Sequence, residues 1–233
     1  MPKKIFWGMT GYGPIYPAVY SSHMVAIAYA TRELRDQEVV IGGAGCTDRL
    51  YTHSAENALV HNMLLDPDAE YLFMTEADMT LPKDVIPSLL ALGKDIAAGL
   101  YFLRGGAQPC VYKRTVTPSG GNPWAQSPVS IFPTEKPFRA NCVGLGCILI
   151  RRAVFEKMPY PWFDLKEGPM GYGSDMYFST KAANMGVETW VNPLVRCGHI
   201  DYSEVTYEDY RKRFQDDPKA ALHGFIIGES DGV

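Results

Sequence analysis

Two acidic residues, Glu76 and Asp78, directly follow the apolar run Tyr71–Met74. This run is short, rich in aromatic residues and followed by polar residues and a proline, which predicts a buried strand. Side chains at i and i+2 of a strand share a face, so both carboxylates should project together at its end, where open α/β sheets bind ligands. Adjacent carboxylates repel unless a positive charge lies between them. The pair therefore predicts a site for a hard divalent cation that carries a diphosphate, with a solvated acidic turn as the alternative.

A second cluster, Gly171-Tyr172-Gly173-Ser174-Asp175, opens a predicted helix. A carboxylate at a helix N-terminus is stabilised by the helix dipole, so Ser174 or Asp175 can serve simply as a cap. The glycines are less expected of a simple cap, because they let a substrate approach the backbone closely. Capping and substrate binding both stay open for this cluster.

A third candidate, His199, lies in the segment RCGHIDY after the last predicted strand. A single histidine can be structural, but these neighbours are too polar for a protein core. Ligation by carboxylates together with an imidazole suits Mn²⁺ or a similar divalent ion better than Ca²⁺. We therefore predict that His199 joins the two acidic residues at a metal site.

Strands alternate with helices through the N-terminal half of the chain. This alternation predicts an α/β fold in which helices cover a mostly parallel sheet. We expect the second strand to stop where a run of glycines begins, and Ser54 to cap the second helix. The predicted strands are Lys4–Met9, Glu38–Ile41, Tyr71–Thr75 and Ile96–Gly99, and the predicted helices are Ala18–Leu34, Ser54–Leu65 and Pro82–Leu92.

The alternation breaks at Arg104–Pro137, which is dense in Pro, Gly, Ser and Thr. We expect short antiparallel strands and a long loop there, and loops of this kind are often functional. Regular structure should then resume, and the charged tail should form a surface helix. The predicted elements are the strands Leu145–Ile150 and Glu188–Val191 and the helices Arg152–Lys157, Asp175–Met185 and Tyr207–Asp217.

The composition narrows the class of protein. The chain has 233 residues, of which 46% are hydrophobic and 21% charged, as in ordinary globular domains. Its net charge of −4 gives no indication of nucleic-acid or membrane binding. We expect no membrane span, because apolar runs are short, and no signal peptide, because the N-terminus lacks an apolar h-region. The five cysteines show no CxxC spacing, so we expect neither a disulfide scaffold nor a zinc site, and a cytoplasmic location.

Taken in order, the segments YLFMTEAD, GLGCILIRRAVFEKM, GYGSDMYFSTKAANMG and CGHI resemble the GT-A-type nucleotide-sugar-dependent glycosyltransferases, in particular small phage and bacterial members. The resemblance implies a Rossmann-like, mostly parallel sheet flanked by helices, with a small antiparallel subdomain on the acceptor side. It also implies one domain, composed of a nucleotide-sugar-binding half (1–103), an acceptor-side half (104–205) and a C-terminal tail (206–233).

The resemblance assigns roles to the three clusters. The family's acidic-x-acidic element binds a divalent metal, Mn²⁺ or Mg²⁺, and the diphosphate of the sugar donor; it falls on Glu76 and Asp78, with Glu76 where the family usually has Asp. His199 would complete the metal site. In inverting members, an acidic pair at a helix start supplies the base that activates the acceptor. Asp175 matches the second residue of that pair and inherits its role.

One further donor-binding residue, Asn57, follows from the resemblance, and the others follow from their positions after predicted strands. Asn57 matches the Asn of a family Ala-Arg-Asn segment, whose arginine is replaced here by Glu56. The loop that begins at Thr10, after the first strand, would present backbone amides to the nucleotide, and Tyr12 would stack on its base. Arg104, after the fourth strand, would reach the diphosphate, although Tyr12 and Arg104 can also be ordinary surface residues. Three aromatic residues are candidates for acceptor contact, with packing as the alternative: Trp124, Trp162 and Phe163.

These observations predict a metal-dependent glycosyltransferase that moves a sugar from a nucleotide-sugar, with a UDP-sugar favoured, to an acceptor hydroxyl. Glycans, a virion protein and a modified DNA base stay open as acceptors, and a phage-encoded enzyme would work in the host cytoplasm. One alternative is a nucleotidyltransferase, although the early loop TGYGPIYP lacks the basic residues usual in a phosphate loop. The other is a non-catalytic module that binds nucleotides or carbohydrates, against which the presence of all three polar clusters argues.

Overall fold

The computed structural model describes residues 3–114, 126–166, 172–201, 204–215 and 225–226; Trp124 and Gly171 lie outside these ranges. No helix in these ranges is both long and apolar enough to cross a membrane. A 3-10 turn at Arg35–Gln37 and a π-helical turn at Arg211–Gln215 accompany the regular elements. In chain order these elements are β1 (Lys3–Gly11), α1 (Pro17–Glu33), β2 (Val39–Asp48), α2 (Thr52–Leu65), β3 (Ala69–Glu76), β4 (Met79–Thr80), α3 (Val85–Leu90), β5 (Ile96–Leu100), β6 (Val111–Arg114), β7 (Gln126–Ile131), β8 (Phe138–Ala140), β9 (Cys142–Val143), β10 (Cys147–Arg151), α4 (Arg152–Lys157), α5 (Ser174–Asn184), β11 (Thr189–Arg196), β12 (Gly198–Ile200), β13 (Glu204–Val205), α6 (Tyr207–Tyr210) and β14 (Phe225–Ile226).

A seven-stranded sheet with the order β2-β1-β3-β10-β5-β11-β8 forms the centre of the molecule. β1 pairs in parallel with both β2 and β3, and β5 pairs in parallel with β11. β10 and β8 are antiparallel to their neighbours in the sheet. The predicted mostly parallel α/β sheet is therefore confirmed, and the carboxyl ends of β1, β3 and β5 meet at one edge.

Alternation along β3 divides the core between the two faces of this sheet. Leu72 and Met74 pack into a cluster with residues of α2, α4 and α5. Tyr71 and Phe73 point the other way and pack with residues of α1 and α3. Because strand side chains alternate, Glu76 continues the Leu72 and Met74 face. It therefore leaves the sheet on the side covered by α2 and α5.

Two smaller sheets accompany the central one. The first has the order β13-β12-β4 and is antiparallel throughout. The second has the order β14-β7-β6-β9, in which β6 pairs antiparallel with β7 and β9. β6 and β7 confirm that short antiparallel strands form in Arg104–Pro137, the segment that breaks the α/β alternation.

Two local expectations are wrong. β2 runs on through its glycines to Asp48 instead of stopping before them, because these glycines make room for a ring of β1. A Cβ at Gly43 would lie only 2.8 Å from Phe6 Cδ2. Ser54 does not cap α2, since that helix begins at Thr52 with Tyr51 at the N-cap position.

The predicted surface helix of the tail is also partly internal. α6 ends at Tyr210, which is fully buried. Its ring stacks on those of Phe102 and Phe132 with centroid separations of 5.0 Å each. Phe214 in the following π-helical turn is buried as well. The start of the tail is therefore anchored in the larger hydrophobic core.

Candidate active site

The ends of β1 and β3 are packed tightly together and fix the acidic segment. β3 ends at Glu76, and the backbone N–H of Ala77 donates to the Thr10 carbonyl at 2.8 Å. Gly11 makes this approach possible, because a Cβ there would lie 2.9 Å from Ala77 Cβ. Glu76 and Asp78 consequently project from a rigid turn at the carboxyl edge of the sheet, as the strand pattern predicted.

A short strand pair brings His199 to the same edge. β12 pairs with β4 so that His199 lies opposite Met79, the residue after Asp78. The Ile200 N–H donates to the Asp78 carbonyl at 2.8 Å and locks this register. As a result, His199 Nε2 lies 3.4 Å from Asp78 Oδ2.

The three side chains fit a divalent metal ion. Glu76, Asp78 and His199 each offer a ligand atom, and these atoms lie within 4.8 Å of one another. His199 Nδ1 donates to the Phe102 carbonyl at 2.9 Å, which leaves Nε2 as the available lone pair, as in many metal-binding histidines. Within the described ranges, His199 Nε2 and Asp78 Oδ1 are buried without a hydrogen-bond partner. A bound cation would satisfy both atoms.

The electrostatics of the cluster reflect crowded negative charge. Burial, and then the neighbouring Asp78 carboxylate, raise the pKa of Glu76 to about 7. Burial acts against ionisation of Asp78 too, but His199 and Arg104 outweigh it and lower the pKa of Asp78. Burial alone would lower the pKa of His199, whereas Asp78 raises it. Arg104 Nη2 lies 3.4 Å from Asp78 Oδ2 and supplies part of the positive charge that the cluster requires.

A cavity of about 550 Å³ opens beside the cluster. Its wall includes five residues singled out in the sequence, although Tyr12 is 82% exposed and stands at the rim. The five predicted residues in the wall are Thr10, Tyr12, Glu76, Asp78 and Arg104. Tyr16 and Tyr51 add further aromatic surface to the same wall.

Asn57 does not line this cavity but lies on another side of α2. Its Nδ2 donates to the Phe163 carbonyl at 2.7 Å, and its Oδ1 accepts from the Trp162 N–H at 3.1 Å. These bonds fasten the loop before α5 to α2. The structure therefore separates Asn57 from the other residues predicted to bind the donor.

Asp175 lies in the first turn of α5, and neither it nor Ser174 provides a side-chain cap. The N-cap position is Gly173. Asp175 Oδ1 accepts from the Met176 N–H at 2.8 Å, and a Cβ at Gly173 would lie 2.6 Å from that oxygen. Burial raises the pKa of this half-buried carboxyl group. Gly173 thus allows the carboxylate to fold back at the helix start, where its charge raises the pKa of Glu76.

A fourth acidic residue, Glu56, was not predicted to take part. It is 2% exposed, and its Oε1 accepts from Ser174 Oγ at 3.0 Å, which joins α2 to the start of α5. Oε2 is buried with no partner among the described residues. Burial raises the pKa of Glu56 well above its usual range, and the charges of Glu76 and Asp175 add to this effect. Folding therefore favours the protonated form of Glu56.

The sequence does carry a signal for this residue. Glu56 precedes three buried residues of α2 at helical spacing, so it occupies the first position of an apolar stripe. An acid at such a position needs a buried partner. The three residues are Leu59, Val60 and Met63.

No protein-family model and no curated protein matches the sequence, so the comparison rests on solved structures. The A197 protein from STIV superposes with a TM-score of 0.56 at 15% identity, covering 85% of this chain and 86% of that one. GalNAc-T7, crystallised with UDP, GalNAc and Mn²⁺, superposes with a TM-score of 0.55 at 14% identity. That match covers 94% of this chain but 49% of GalNAc-T7. The predicted GT-A-like fold is therefore confirmed.

Proposed function

We propose that this protein is a metal-dependent glycosyltransferase that moves a sugar from a nucleotide-sugar, with a UDP-sugar favoured, to an acceptor hydroxyl. One observation carries the proposal. On a GT-A-like fold, Glu76, Asp78 and His199 converge, and the two carboxylates line a cavity of about 550 Å³. Two buried ligand atoms of the cluster lack partners among the described residues. The presence of UDP and Mn²⁺ in the GalNAc-T7 structure supports a donor of the same class here.

Glu76, Asp78 and His199 would hold the metal, Mn²⁺ or Mg²⁺. When bound, it supplies positive charge against the diphosphate leaving group. Arg104 adds a second positive charge at the same place, since it lines the cavity and contacts Asp78. Tyr12, at the exposed rim, is positioned to stack on the base. These residues bind and orient the donor, and Arg104 stabilises charge on the departing oxygen.

Asp175 is the proposed general base of an inverting reaction. The acceptor oxygen forms a bond to the anomeric carbon while the bond from that carbon to the diphosphate breaks, and the diphosphate leaves with the electron pair. Asp175 takes the acceptor proton. Burial raises the pKa of Asp175, which makes its ionised form a stronger base. Ser174, held by Glu56, fixes the helix start that carries it.

Turnover of isotope-labelled UDP-sugars with Mn²⁺ tests the proposal. Water and a mixture of simple glycosides would serve as acceptors, and the products would be separated into free sugar, transferred sugar and nucleotide. We expect release of UDP together with sugar transfer or slow hydrolysis. Formation of an acceptor that carries the nucleoside monophosphate, together with release of the sugar 1-phosphate, would identify a nucleotidyltransferase. Binding without any turnover would identify a non-catalytic module.

A further inference from the structure

A second cavity of about 650 Å³ lies on the outer side of α2, and we call it the Trp162 pocket. It is formed where α2 meets residues 160–164, which follow α4. The side chains that matter for its chemistry are His53, His61, Tyr160, Trp162 and Asp164. None of them takes part in the metal cluster or lines the first cavity.

The Trp162 pocket borders the first cavity. Tyr51 lines the first cavity and His53 lines the second, and their rings stack with a centroid separation of 6.2 Å and an interplanar angle of 18°. This ring pair at the start of α2 therefore connects the walls of the two cavities. A ligand with several linked units can occupy both.

Residues 159–163, which contribute to the pocket wall, are held in place before any ligand arrives. Lys181 of α5 donates to the carbonyls of Pro159 and Pro161 at 2.6 Å each. Asn57 of α2 holds the backbone of Trp162, and the Trp162 indole N–H donates to the Phe155 carbonyl at 3.0 Å. A preformed site avoids the entropic cost of ordering a loop when a ligand binds.

The chemistry of the pocket suits a carbohydrate. Sugar rings present flat C–H faces, which pack on aromatic rings, and hydroxyl edges, which need hydrogen-bond partners. Tyr160 is 72% exposed and stands at 90° to Trp162 with a centroid separation of 5.4 Å, so the two rings offer perpendicular apolar walls. His53, His61 and Asp164 supply imidazole and carboxylate groups. His53 Nδ1 is buried with no hydrogen-bond partner in the described part of the chain.

A nucleic acid fits the pocket less well. None of the described residues that line it is lysine or arginine, and Asp164 contributes negative charge. Binding of nucleic acids depends on neutralisation of phosphates by basic side chains. The perpendicular rings also form no parallel slot for a base.

We propose that the Trp162 pocket binds a sugar unit of an oligosaccharide acceptor, next to the unit that carries the attacking hydroxyl. The assignment of this sugar to an acceptor rests on the proposed glycosyltransferase function, whereas binding of a saccharide does not. The acceptor class is accordingly a glycan chain, in preference to a protein or a DNA base.

The binding test uses the indole N–H resonance of Trp162, assigned by its loss in Trp162→Phe, in protein without nucleotide or metal. The probes are trisaccharides of glucose, galactose, mannose and N-acetylglucosamine. We expect saturable shifts with at least one probe, and a roughly tenfold weaker affinity in Tyr160→Ala, which loses one aromatic wall. The matched control is Tyr20→Ala, an exposed tyrosine of α1 outside both cavities, which should bind like the parent.

Two results overturn the proposal. One is the absence of a shift with all four trisaccharides. The other is a shift with a short oligodeoxynucleotide or peptide and none with the saccharides. Once a donor is established, Tyr160→Ala should raise KM for an oligosaccharide acceptor roughly tenfold, with kcat and donor affinity unchanged. If no donor is ever turned over, the proposed function fails, but the saccharide titration still decides whether the pocket binds sugars.

Discussion

At the scale of single residues, Asp78 is the clearest test of the metal site. One of its oxygens faces His199 and Arg104, and the other is buried without a partner among the described residues. We expect Asp78→Asn to weaken Mn²⁺ binding at least about a hundredfold, because an amide is a poorer ligand for a hard cation. Isothermal titration of the nucleotide-free protein measures this. Asp36→Asn, which changes an exposed acid after α1, is the control and should bind normally. Equal Mn²⁺ affinity in both variants would remove Asp78 from the site.

The raised pKa of Glu76 predicts how the affinity for a metal ion depends on pH. Its pKa is raised to about 7, so below that pH a metal ion must displace its proton. We expect Mn²⁺ affinity to rise with pH up to about 7 and to level off above it. The pKa of His199 is also raised, so the loss of its proton should likewise make Mn²⁺ affinity rise with pH. Glu76→Gln should bind more weakly and with a shallower pH dependence. Titrations across this range check the result, and an unchanged slope in the variant would contradict it.

Substitution of Asp175 can distinguish a role in catalysis from a role in folding. Asp175→Asn preserves the side-chain volume and an oxygen that can accept from the Met176 N–H. We expect turnover to fall roughly a hundred- to ten-thousand-fold, the usual effect of removing a positioned base. Donor affinity and Tm should stay near those of the parent. Early melting with normal turnover per folded molecule would make Asp175 structural. A product that retains the anomeric configuration of the donor would exclude the role of inverting base.

At the scale of elements, the bond between Glu56 and Ser174 joins α2 to α5 and predicts an effect of pH on stability. Because burial raises the pKa of Glu56, the native protein keeps a proton that the unfolded chain releases above about pH 4.5. The stability from that proton is complete below this pH and is lost as pH rises towards the native pKa. Glu56→Gln stays neutral at every pH. Its free energy of unfolding should therefore match the parent near pH 4 and exceed it progressively at higher pH.

Urea unfolding of both proteins in EDTA, at about pH 4 and about pH 7.5, provides the measurement. EDTA removes the contribution of bound metal, which would otherwise stabilise the native state. Ser174→Ala removes the hydroxyl but leaves the acid, and so serves as the companion variant. If the parent and Glu56→Gln differ by the same free energy at both pH values, then Glu56 does not keep its proton on folding.

The elements differ in how far the sequence could predict them. β3, β5 and α4 are clear because each is an apolar or amphipathic run with polar or proline boundaries. β4 and β12 contain two and three residues, and only pairing with strands that are distant in the sequence makes them strands. Such pairing cannot be predicted from the sequence of either short segment alone. For the same reason, strand alternation could predict Glu76 and Asp78 as neighbours, but it could not place His199 beside them. The prediction for His199 relied on the ligand chemistry of its imidazole and on the family resemblance.

At the scale of the whole molecule, the fold gathers acids that lie far apart in the chain. Glu56 comes from α2, Glu76 and Asp78 from the end of β3 and the turn after it, and Asp175 from α5. Burial is the main cause of the raised pKa values of Glu56 and Glu76. The charges of Asp78 and Asp175 add to it for Glu76, and those of Glu76 and Asp175 add to it for Glu56, so these groups interact electrostatically. In the sequence, Glu76, Asp78 and Asp175 are each consistent with an ordinary surface role when taken alone. Their convergence, which depends on topology, is what indicates a cation site.

This convergence leads to a prediction about the stability of the whole protein. A cluster of repelling carboxylates destabilises the native state, and a ligand that binds only the native state reverses this. At a hundredfold excess over Kd, such a ligand contributes about 2.7 kcal/mol. For a chain of 233 residues, this corresponds to a rise in Tm of roughly 5–10 °C. We expect UDP with Mn²⁺ to produce a rise of this size, and Mn²⁺ alone to produce a smaller one.

The thermal shift should also identify the nucleotide. UDP, GDP, CDP and ADP, each with Mn²⁺, differ only in the base, so their relative shifts report contacts at the tyrosine-lined rim of the first cavity. Asp78→Asn should lose the response to every one of them, because the diphosphate then has no metal to bind. A shift by UDP that survives both EDTA and Asp78→Asn would mean that the nucleotide binds without the metal cluster. The diphosphate would then have to rely on Arg104, the cation that lines this cavity among its described residues.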